Sequence, residues 1–216
     1  MPNAVILANG TPPSRAILKD ALARATLFVC ADGGSDVARR YGEIPHAIVG
    51  DLDSISEESL AVFREIPIVP NPDTEHTDTE KAVEWVLARR TFDEITLLGA
   101  SAGRIDHVLG HLSLLRRYQG RARIVLEDDH ARAWLARAGE VRIDEPAGTV
   151  VSFFAVGAPA EDVTTVNLRY PLANRRIELG AQDSISNVVE TSPAAIRIGA
   201  GELIVIVVRQ GAAAPS

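Results

Sequence analysis

Residues 47–54 read Ala-Ile-Val-Gly-Asp-Leu-Asp-Ser, a short apolar run that ends in two carboxylates. The apolar part is typical of a buried strand, so Asp51 and Asp53 are expected where that strand ends and a loop begins. Aspartate is common at such places because it caps helices and favours turns. Capping does not require two acids in one turn, however. The segment therefore predicts a strand of a covered sheet with a polar site at its end.

The same order of apolar run and acid recurs nearby. Asp32 follows the run 27–31, and the run 66–70 is followed by Asp73, Glu75 and Asp78. Segments with apolar residues at helical spacing alternate with these runs: 14–25 precedes the run 27–31, and 78–90 follows the run 66–70. Strands that alternate with helices form a mostly parallel sheet covered on both faces. Right-handed crossovers bring the carboxyl ends of such strands to one edge, so we expect a shared acidic crevice there.

The character of the sequence changes near residues 127–130. Later runs are short, rich in β-branched residues and punctuated by Gly, Pro, Asn and Asp, which is typical of an antiparallel sandwich or barrel. Residues 196–198 and 203–208 are two such runs. We predict an α/β domain over residues 1–127, with a mostly parallel sheet and helices on both faces. An antiparallel β-sandwich is predicted over residues 128–216.

Composition excludes several classes of protein. The formal net charge is −7, and nucleic-acid binding needs a Lys/Arg footprint that such a charge argues against. No apolar stretch is long enough to span a membrane, and no signal segment begins the chain, so a cytoplasmic location is expected. Cys30 is the only cysteine, and its apolar surroundings predict a buried structural thiol.

Carboxylates that converge in one crevice repel one another and raise each other's pKa. A bound hard cation relieves this repulsion, and Mg²⁺ both takes oxygen ligands and bridges substrate phosphates. The loop 99–103 leads into a helix that begins near Arg104, and its free N–H groups favour an anion. A plain strand-to-helix connection explains that loop equally well. No P-loop or dinucleotide fingerprint is present.

Two helix starts carry charged residues with two interpretations each. Asp78 and Lys81 are three residues apart, which fits either an ion pair within the helix or a metal ligand beside a phosphate contact. Asp106 favours the start of its helix whatever its function.

His111 is expected to be a packing histidine. Ser54 with Glu57 resembles a capping box that opens a helix.

Short motifs, taken in chain order, resemble those of the thiamine pyrophosphokinase (thiamine diphosphokinase) family. In the first half they are Ala31-Asp32-Gly33-Gly34, Gly50-Asp51-Leu52-Asp53-Ser54, Thr77-Asp78 with Lys81, and Gly103-Arg104-Ile105-Asp106-His107. In the second half they are Thr164-Thr165, Leu168-Arg169-Tyr170-Pro171-Leu172 and Ser184-Ile185-Ser186-Asn187. Glu75 stands where the family usually has Asp, so either Glu75 or Asp73 is expected to supply the metal ligand of that loop.

The resemblance implies a homodimer with active sites shared between subunits. It implies Mg²⁺-dependent transfer of the pyrophosphoryl group of ATP to thiamine, with AMP as the second product. Metal contacts are expected from Asp51, Asp53 and Asp78, with Arg104 and Asp106 as further catalytic residues. ATP contacts are expected from Asp32, Gly33, Gly34, Lys81, Gly103 and His107, and thiamine contacts from Ser186 and Asn187. The alternatives are a pyrophosphokinase acting on another alcohol such as a pterin, a nucleotide-binding module without turnover, and a metal-dependent phosphohydrolase.

Overall fold

The computed structural model describes residues 2–101 and 104–209. The chain divides into two compact units, Met1–Asp129 and His130–Ser216. The first unit alternates strands with helices and the second is built of strands. This is the mixed α/β class expected from the sequence.

The first unit contains β1 (Asn3–Leu7), α1 (Arg15–Ala23), β2 (Leu27–Ala31), α2 (Gly34–Tyr41), β3 (Ala47–Gly50), α3 (Glu57–Val62), β4 (Ile68–Pro70), α4 (Asp78–Leu87), β5 (Glu94–Leu98), α5 (Ile105–Arg117) and β6 (Arg123–Glu127). Its strands pair in parallel in the order β6-β5-β1-β2-β3-β4. Strands β1, β2, β3, β5 and β6 are buried almost throughout, as the apolar runs predict, because helices cover parallel sheets on both faces. The edge strand β4 is half-buried to exposed.

The strand order contains a topological switch. The chain builds outward from β1 through β2 and β3 to β4, then returns to the other side of β1 with β5 and β6. Loops that follow the strands on either side of such a reversal diverge and leave a crevice at the carboxyl ends, which is where open α/β sheets bind ligands. A ligand site is therefore expected among the loops after β1, β2, β3 and β5.

Helix starts in this unit follow side-chain capping. The hydroxyls of Ser14 and Thr77 accept from backbone N–H groups in the first turns of α1 and α4. The predicted capping box at Ser54 is wrong, because α3 begins after Ser56, whose hydroxyl accepts from the Ser59 N–H. Ser54 instead donates its backbone N–H to Asp32, 3.0 Å away.

The second unit contains β7 (Ala131–Ile143), β8 (Val150–Ala155), β9 (Ala160–Val166), β10 (Arg175–Ile177), β11 (Ser184–Val188) and β12 (Ala194–Val208). All its pairings are antiparallel within the described residues. The runs 196–198 and 203–208 belong to one strand, β12. The prediction of two strands fails because a register irregularity near Gly201, whose φ is +87°, lets one strand change direction without a turn.

That irregularity divides β12 into two segments that pair with different strands. The segment of β12 before it pairs with β9, and the segment after it pairs with β8, while β7 runs alongside both. Buried residues from these strands form one hydrophobic cluster with Val163, Phe153 and Ile196 among its members. This explains why alternate residues of the second half are apolar.

Within residues 2–101 and 104–209, no helix is long and apolar enough to cross a membrane.

Candidate active site

Three aspartates meet at the carboxyl-end edge of the first unit. Asp32 follows β2, Asp51 follows β3 and Asp78 begins α4. One carboxylate oxygen from each lies within 4.8 Å of the others. We call Asp32, Asp51 and Asp78 the acidic cluster; it is the acidic crevice that the sequence predicts, built from three separate chain segments.

Close packing at Gly50 permits this convergence. A Cβ atom at residue 50 would lie 2.9 Å from the Asp32 Cβ and 3.2 Å from an Asp78 carboxylate oxygen. Both distances are shorter than ordinary van der Waals contact, so a larger residue would push the segments apart. The glycine before Asp51 in the 47–54 stretch is therefore a packing requirement of the site.

The backbone around the cluster is held in uncommon conformations. Asp32 has a φ of 42° and Leu52, between the two acids of its turn, has a φ of 69°. The left-handed region is tolerated by Asp but unfavourable for a residue such as Leu. Such residues persist only where surrounding structure fixes them, and they concentrate at functional sites. Here the conformation accompanies the approach of Asp51 to Asp78, whose carboxylate accepts from the Asp51 N–H at 3.4 Å.

Lys81 partly neutralises the charge of the acidic cluster. Its ammonium lies 2.9 Å from Asp78 and 3.5 Å from Asp51, and its side chain is only 3% exposed. Burial opposes the charged form, yet contacts with Asp78 and Asp51 outweigh burial and raise the pKa of Lys81. The lysine therefore stays charged. Of the two sequence interpretations, the ion pair with Asp78 is present, and it extends to Asp51.

Asp32 is the member whose charge is least compensated. It is 1% exposed, and burial, followed by repulsion from Asp78 and Asp51, raises its pKa to about 6 against the opposing hydrogen bond from Ser54. Its Oδ1 atom has no hydrogen-bond partner among the described residues. An unpartnered buried carboxylate oxygen beside two further carboxylates is a donor set suited to a hard divalent cation.

The other predicted metal ligands lie outside this group of oxygens. Asp53 is exposed, and its Oδ1 accepts from the Ser54 hydroxyl at 2.8 Å. Asp73 accepts from the Glu75 N–H at 2.8 Å and contacts the His76 ring. The Glu75 side chain is exposed. The acidic residues of the sequence thus separate into one convergent cluster and several acids at its margin.

The glycines after β2 shape the start of α2. A Cβ at residue 34 would lie 2.1 Å from the Leu7 carbonyl oxygen, and one at residue 33 would meet the Asn9 side chain. Only glycine allows α2 to begin so close to the end of β1. Gly103 lies outside the described residues.

Arg104, Asp106 and His107 occupy the start of α5 and are exposed. The Arg104 guanidinium donates to both carboxylate oxygens of Asp106, at 3.1 and 2.5 Å. This pairing lowers the pKa of Asp106 to about 2. The arginine and the aspartate therefore engage each other, and a phosphate contact by Arg104 would require it to exchange or share this partner.

In the second unit, Ser186 is exposed and Asn187 is 2% exposed. The Asn187 amide accepts from the Tyr170 N–H at 3.0 Å and donates to the Tyr170 carbonyl at 2.8 Å. It also accepts from the Val188 N–H. The asparagine thus holds the backbone of Tyr170, whose side chain is 60% exposed.

Sequence reasoning placed Asp32 in the crevice but assigned it to nucleotide alone. Its position at the end of β2, next to β3, was a signal that it could join Asp51, because neighbouring parallel strands bring such residues together. The contacts of His111 had no comparable signal, since its partners are 11 and 32 residues away.

Comparisons with known proteins agree with this arrangement. Residues 18–126 match the family model described as the catalytic domain of thiamin pyrophosphokinase. Residues 140–204 match the model described as its vitamin B1 binding domain. The acidic cluster lies within the first match, and Ser186 and Asn187 lie within the second.

Individual relatives span nearly the same length. The thiamine pyrophosphokinase of Bacillus subtilis is 30% identical over 189 residues, which cover 84% of this chain and 86% of the relative. A crystal structure of the Bacillus subtilis enzyme aligns with a TM-score of 0.84 at 26% identity, covering 96% of this chain and 99% of that one. The Candida albicans structure shares the fold at 16% identity, with a TM-score of 0.86 and coverage of 96% and 88%. The chain belongs to the thiamin pyrophosphokinase family.

Proposed function

We propose that the protein is a thiamine diphosphokinase, a transferase that converts ATP and thiamine into AMP and thiamine diphosphate. Family membership supplies the reaction. The observation that carries it to this chain is the acidic cluster, which lies in the segment matched to the family's catalytic domain and includes a buried Asp32 oxygen with no hydrogen-bond partner among the described residues.

The residues present fit a magnesium ion. Asp32, Asp51 and Asp78 would hold it, and Asp53 would supply a further oxygen from the exposed part of the same turn. When bound, Mg²⁺ neutralises charge on the phosphates and stabilises the charge that develops during transfer. Asp73 and Glu75 both remain candidates for an additional ligand from the loop after β4.

The chain's own groups position the reactants. The hydroxyl oxygen of the thiamine hydroxyethyl group forms a bond to the β-phosphorus of ATP, and the bond from that phosphorus to the α–β bridging oxygen breaks, releasing AMP. The hydroxyl proton passes to a carboxylate, for which Asp51 and Asp78 are the candidates. Such transfer depends mainly on alignment and charge stabilisation.

Nucleotide contacts are proposed from the loops around the switch in strand order. Gly33 and Gly34 bring the start of α2 close to the end of β1, and Lys81 places a permanent positive charge beside the acidic cluster. Arg104, Asp106 and His107 present charged and polar groups at the start of α5, and Gly103 completes that proposed set. An arginine there suits a phosphate oxygen.

Thiamine is proposed to bind at the second unit. Ser186 offers an exposed polar group, and Asn187 would act by holding the Tyr170 segment in place. We also propose a homodimer in which subunits share active sites. Mixing an Asp78→Asn subunit with a Ser186→Ala subunit should restore part of the activity if sites are shared, and mixing should restore nothing if each chain works alone.

Product identification tests the proposed function. The protein is incubated with Mg²⁺ and ATP, with and without thiamine, and the products are separated by chromatography. AMP and thiamine diphosphate that appear only together, and only with thiamine, support the proposal. ADP, free phosphate without an acceptor, or no reaction would contradict it. A hydroxymethylpterin in place of thiamine serves as the acceptor control.

A further inference from the structure

His111 lies at the centre of a small polar network that the proposed function does not use. The side chain belongs to α5 and is 6% exposed. Its Nδ1 lies 2.7 Å from the Ala100 carbonyl oxygen, and its Nε2 lies 3.2 Å from the Thr79 hydroxyl. Both ring nitrogens are therefore engaged, with partners from two other parts of the unit.

The chemistry of the partners sets the tautomer. A carbonyl oxygen accepts only, so Nδ1 carries the proton and donates to Ala100. In a neutral ring Nε2 is then the acceptor, and the Thr79 hydroxyl donates to it. Burial lowers the pKa of His111, which favours this neutral form.

The two partners belong to different parts of the proposed active site. Ala100 lies in the loop that follows β5, next to the switch in strand order. Thr79 lies in the first turn of α4, directly after Asp78 of the acidic cluster. His111 itself belongs to α5, which has Arg104 at its N-cap and Asp106 in its first turn. One imidazole ring thus connects three elements that each contribute proposed phosphate or metal contacts.

We propose that His111 is a positioning residue that fixes the loop 99–101 against the first turn of α4 for binding of Mg·ATP. This role rests on the proposed function. A hydrogen bond to a loop carbonyl fixes the backbone of that loop, and small displacements of positioning groups are enough to reduce turnover strongly. Because the ring is buried and both its nitrogens are engaged, this role is exerted through Ala100 and Thr79.

A second contact between the same helices separates this role from general packing. Glu80 of α4 is buried and accepts from the Tyr118 hydroxyl at 3.1 Å, and it also pairs with Arg117. This contact holds the end of α5 to α4 but does not involve the loop 99–101. Tyr118→Phe is therefore a matched control, because it removes a buried hydrogen bond between α4 and α5 and leaves the loop contact in place.

The test uses His111→Leu, His111→Asn, His111→Gln and Tyr118→Phe. Asn can place an N–H near the position of Nδ1 and keep the bond to Ala100, whereas Gln reaches toward Thr79. Each variant is characterised by its thermal midpoint, by ATP binding in the presence of Mg²⁺ measured calorimetrically, and by kcat and KM for each substrate.

His111→Leu should lower kcat/KM for Mg·ATP by about 10- to 100-fold and weaken ATP binding, with the KM for thiamine unchanged. His111→Asn should recover more than His111→Gln, and Tyr118→Phe should retain wild-type kinetics. Equal losses in Asn and Gln, equal losses in Tyr118→Phe, or an unchanged His111→Leu would overturn the inference. If His111→Leu does not fold, the ranking of Asn, Gln and Phe variants decides. A wild-type protein without thiamine diphosphate formation would refute the proposed function, and the ATP-binding ranking would still test His111.

Discussion

Asp32 and Asp36 lie four residues apart at the junction of β2 and α2, yet their surroundings are opposite. One oxygen of Asp36 accepts from the Ser56 hydroxyl at 2.6 Å, from the Ser56 N–H at 3.3 Å and from the Ser59 hydroxyl. These bonds outweigh desolvation and lower its pKa. Asp32 is nearly inaccessible, keeps an oxygen without a partner among the described residues, and has a raised pKa.

The difference distinguishes an acid that the fold itself satisfies from an acid of the proposed metal site. Asp36 joins α2 to the start of α3, and its charge is satisfied by the folded chain alone. The acidic cluster is satisfied only in part, by Lys81 and by the backbone N–H groups of Asp51, Asp53 and Ser54. A fold that keeps an unsatisfied buried carboxylate gives up stability there, which is common where a ligand supplies the missing interaction.

The largest expected effect is the loss of kcat when a residue of the acidic cluster is replaced. Asp78→Asn should lower kcat by about 10²- to 10⁴-fold, since charge neutralisation by a bound metal is worth roughly 3–5 kcal/mol in the transition state. Steady-state kinetics at saturating Mg²⁺ and ATP measure the change. Asp36→Asn is the matched control and should keep near wild-type kcat; equal losses in the two variants would remove the distinction between the sites.

The next effect is a gain in stability at Asp32. Because its folded pKa of about 6 exceeds the ordinary aspartate value of 3.8, the folded state binds the proton more tightly. The metal-free protein should therefore lose stability as pH rises from about 4 to 6. Asp32→Asn should remove this loss and raise the free energy of unfolding at pH 8 by up to about 3 kcal/mol. Denaturant unfolding in chelator measures it, and a destabilised Asp32→Asn protein at pH 8 would contradict it.

Asp36 should change the stability with pH in the opposite direction to Asp32. Its folded pKa is lowered, so its contribution to stability is complete above the unfolded pKa and disappears as pH falls through the folded pKa. Asp36→Asn should lower the free energy of unfolding at pH 7 by about 1–3 kcal/mol, because the serine donors lose a charged acceptor. Unfolding curves of wild type and variant should converge at acid pH. Parallel curves at all pH values would show that the carboxylate charge is irrelevant.

The smallest effect concerns the start of α3. Ser56→Ala removes both the helix cap and a hydrogen bond to Asp36, and should lower stability by about 1–2 kcal/mol. Ser54→Ala should have less effect on stability, since Asp32 accepts from the backbone N–H of residue 54. Thermal unfolding of the two variants compares them directly. A larger loss in Ser54→Ala would restore the capping box that the sequence suggested.

The elements of the fold were predicted correctly where a single sequence pattern determined them. Apolar runs predicted the strands, because parallel strands buried on both faces consist of such runs. The acids that end them predicted the shared edge, because right-handed crossovers bring the carboxyl ends of parallel strands to one side of the sheet. The capping of α3 was misjudged because Ser54 and Ser56 are both good caps, and only the contact of residue 54 with Asp32 separates them. The continuity of β12 depended on a register irregularity at residues 199–201, where Gly-Ala-Gly is compatible with either a bulge within one strand or a turn between two strands.

The sequence predicted where the acidic site lies but not which of the acids converge to form it. Asp51 and Asp53 are equivalent in sequence, one residue on either side of Leu52. They are separated by the left-handed conformation of Leu52 and by the approach of Asp78, which is a tertiary contact. The amide of Asn187 and the ring of His111 are committed to partners distant in sequence, so their positioning contacts emerge only in the folded chain.

The most direct test of the account is a Mn²⁺ titration of the metal-free protein, followed by electron paramagnetic resonance, on wild type, Asp32→Asn and Asp36→Asn. Mn²⁺ takes the oxygen ligands that suit Mg²⁺ and has a measurable spectrum when free. Asp32→Asn should weaken Mn²⁺ binding strongly, whereas Asp36→Asn should bind Mn²⁺ as the wild type does. Equal affinity in all three proteins, or a loss confined to Asp36→Asn, would contradict the claim that the unsatisfied acidic cluster is the metal site.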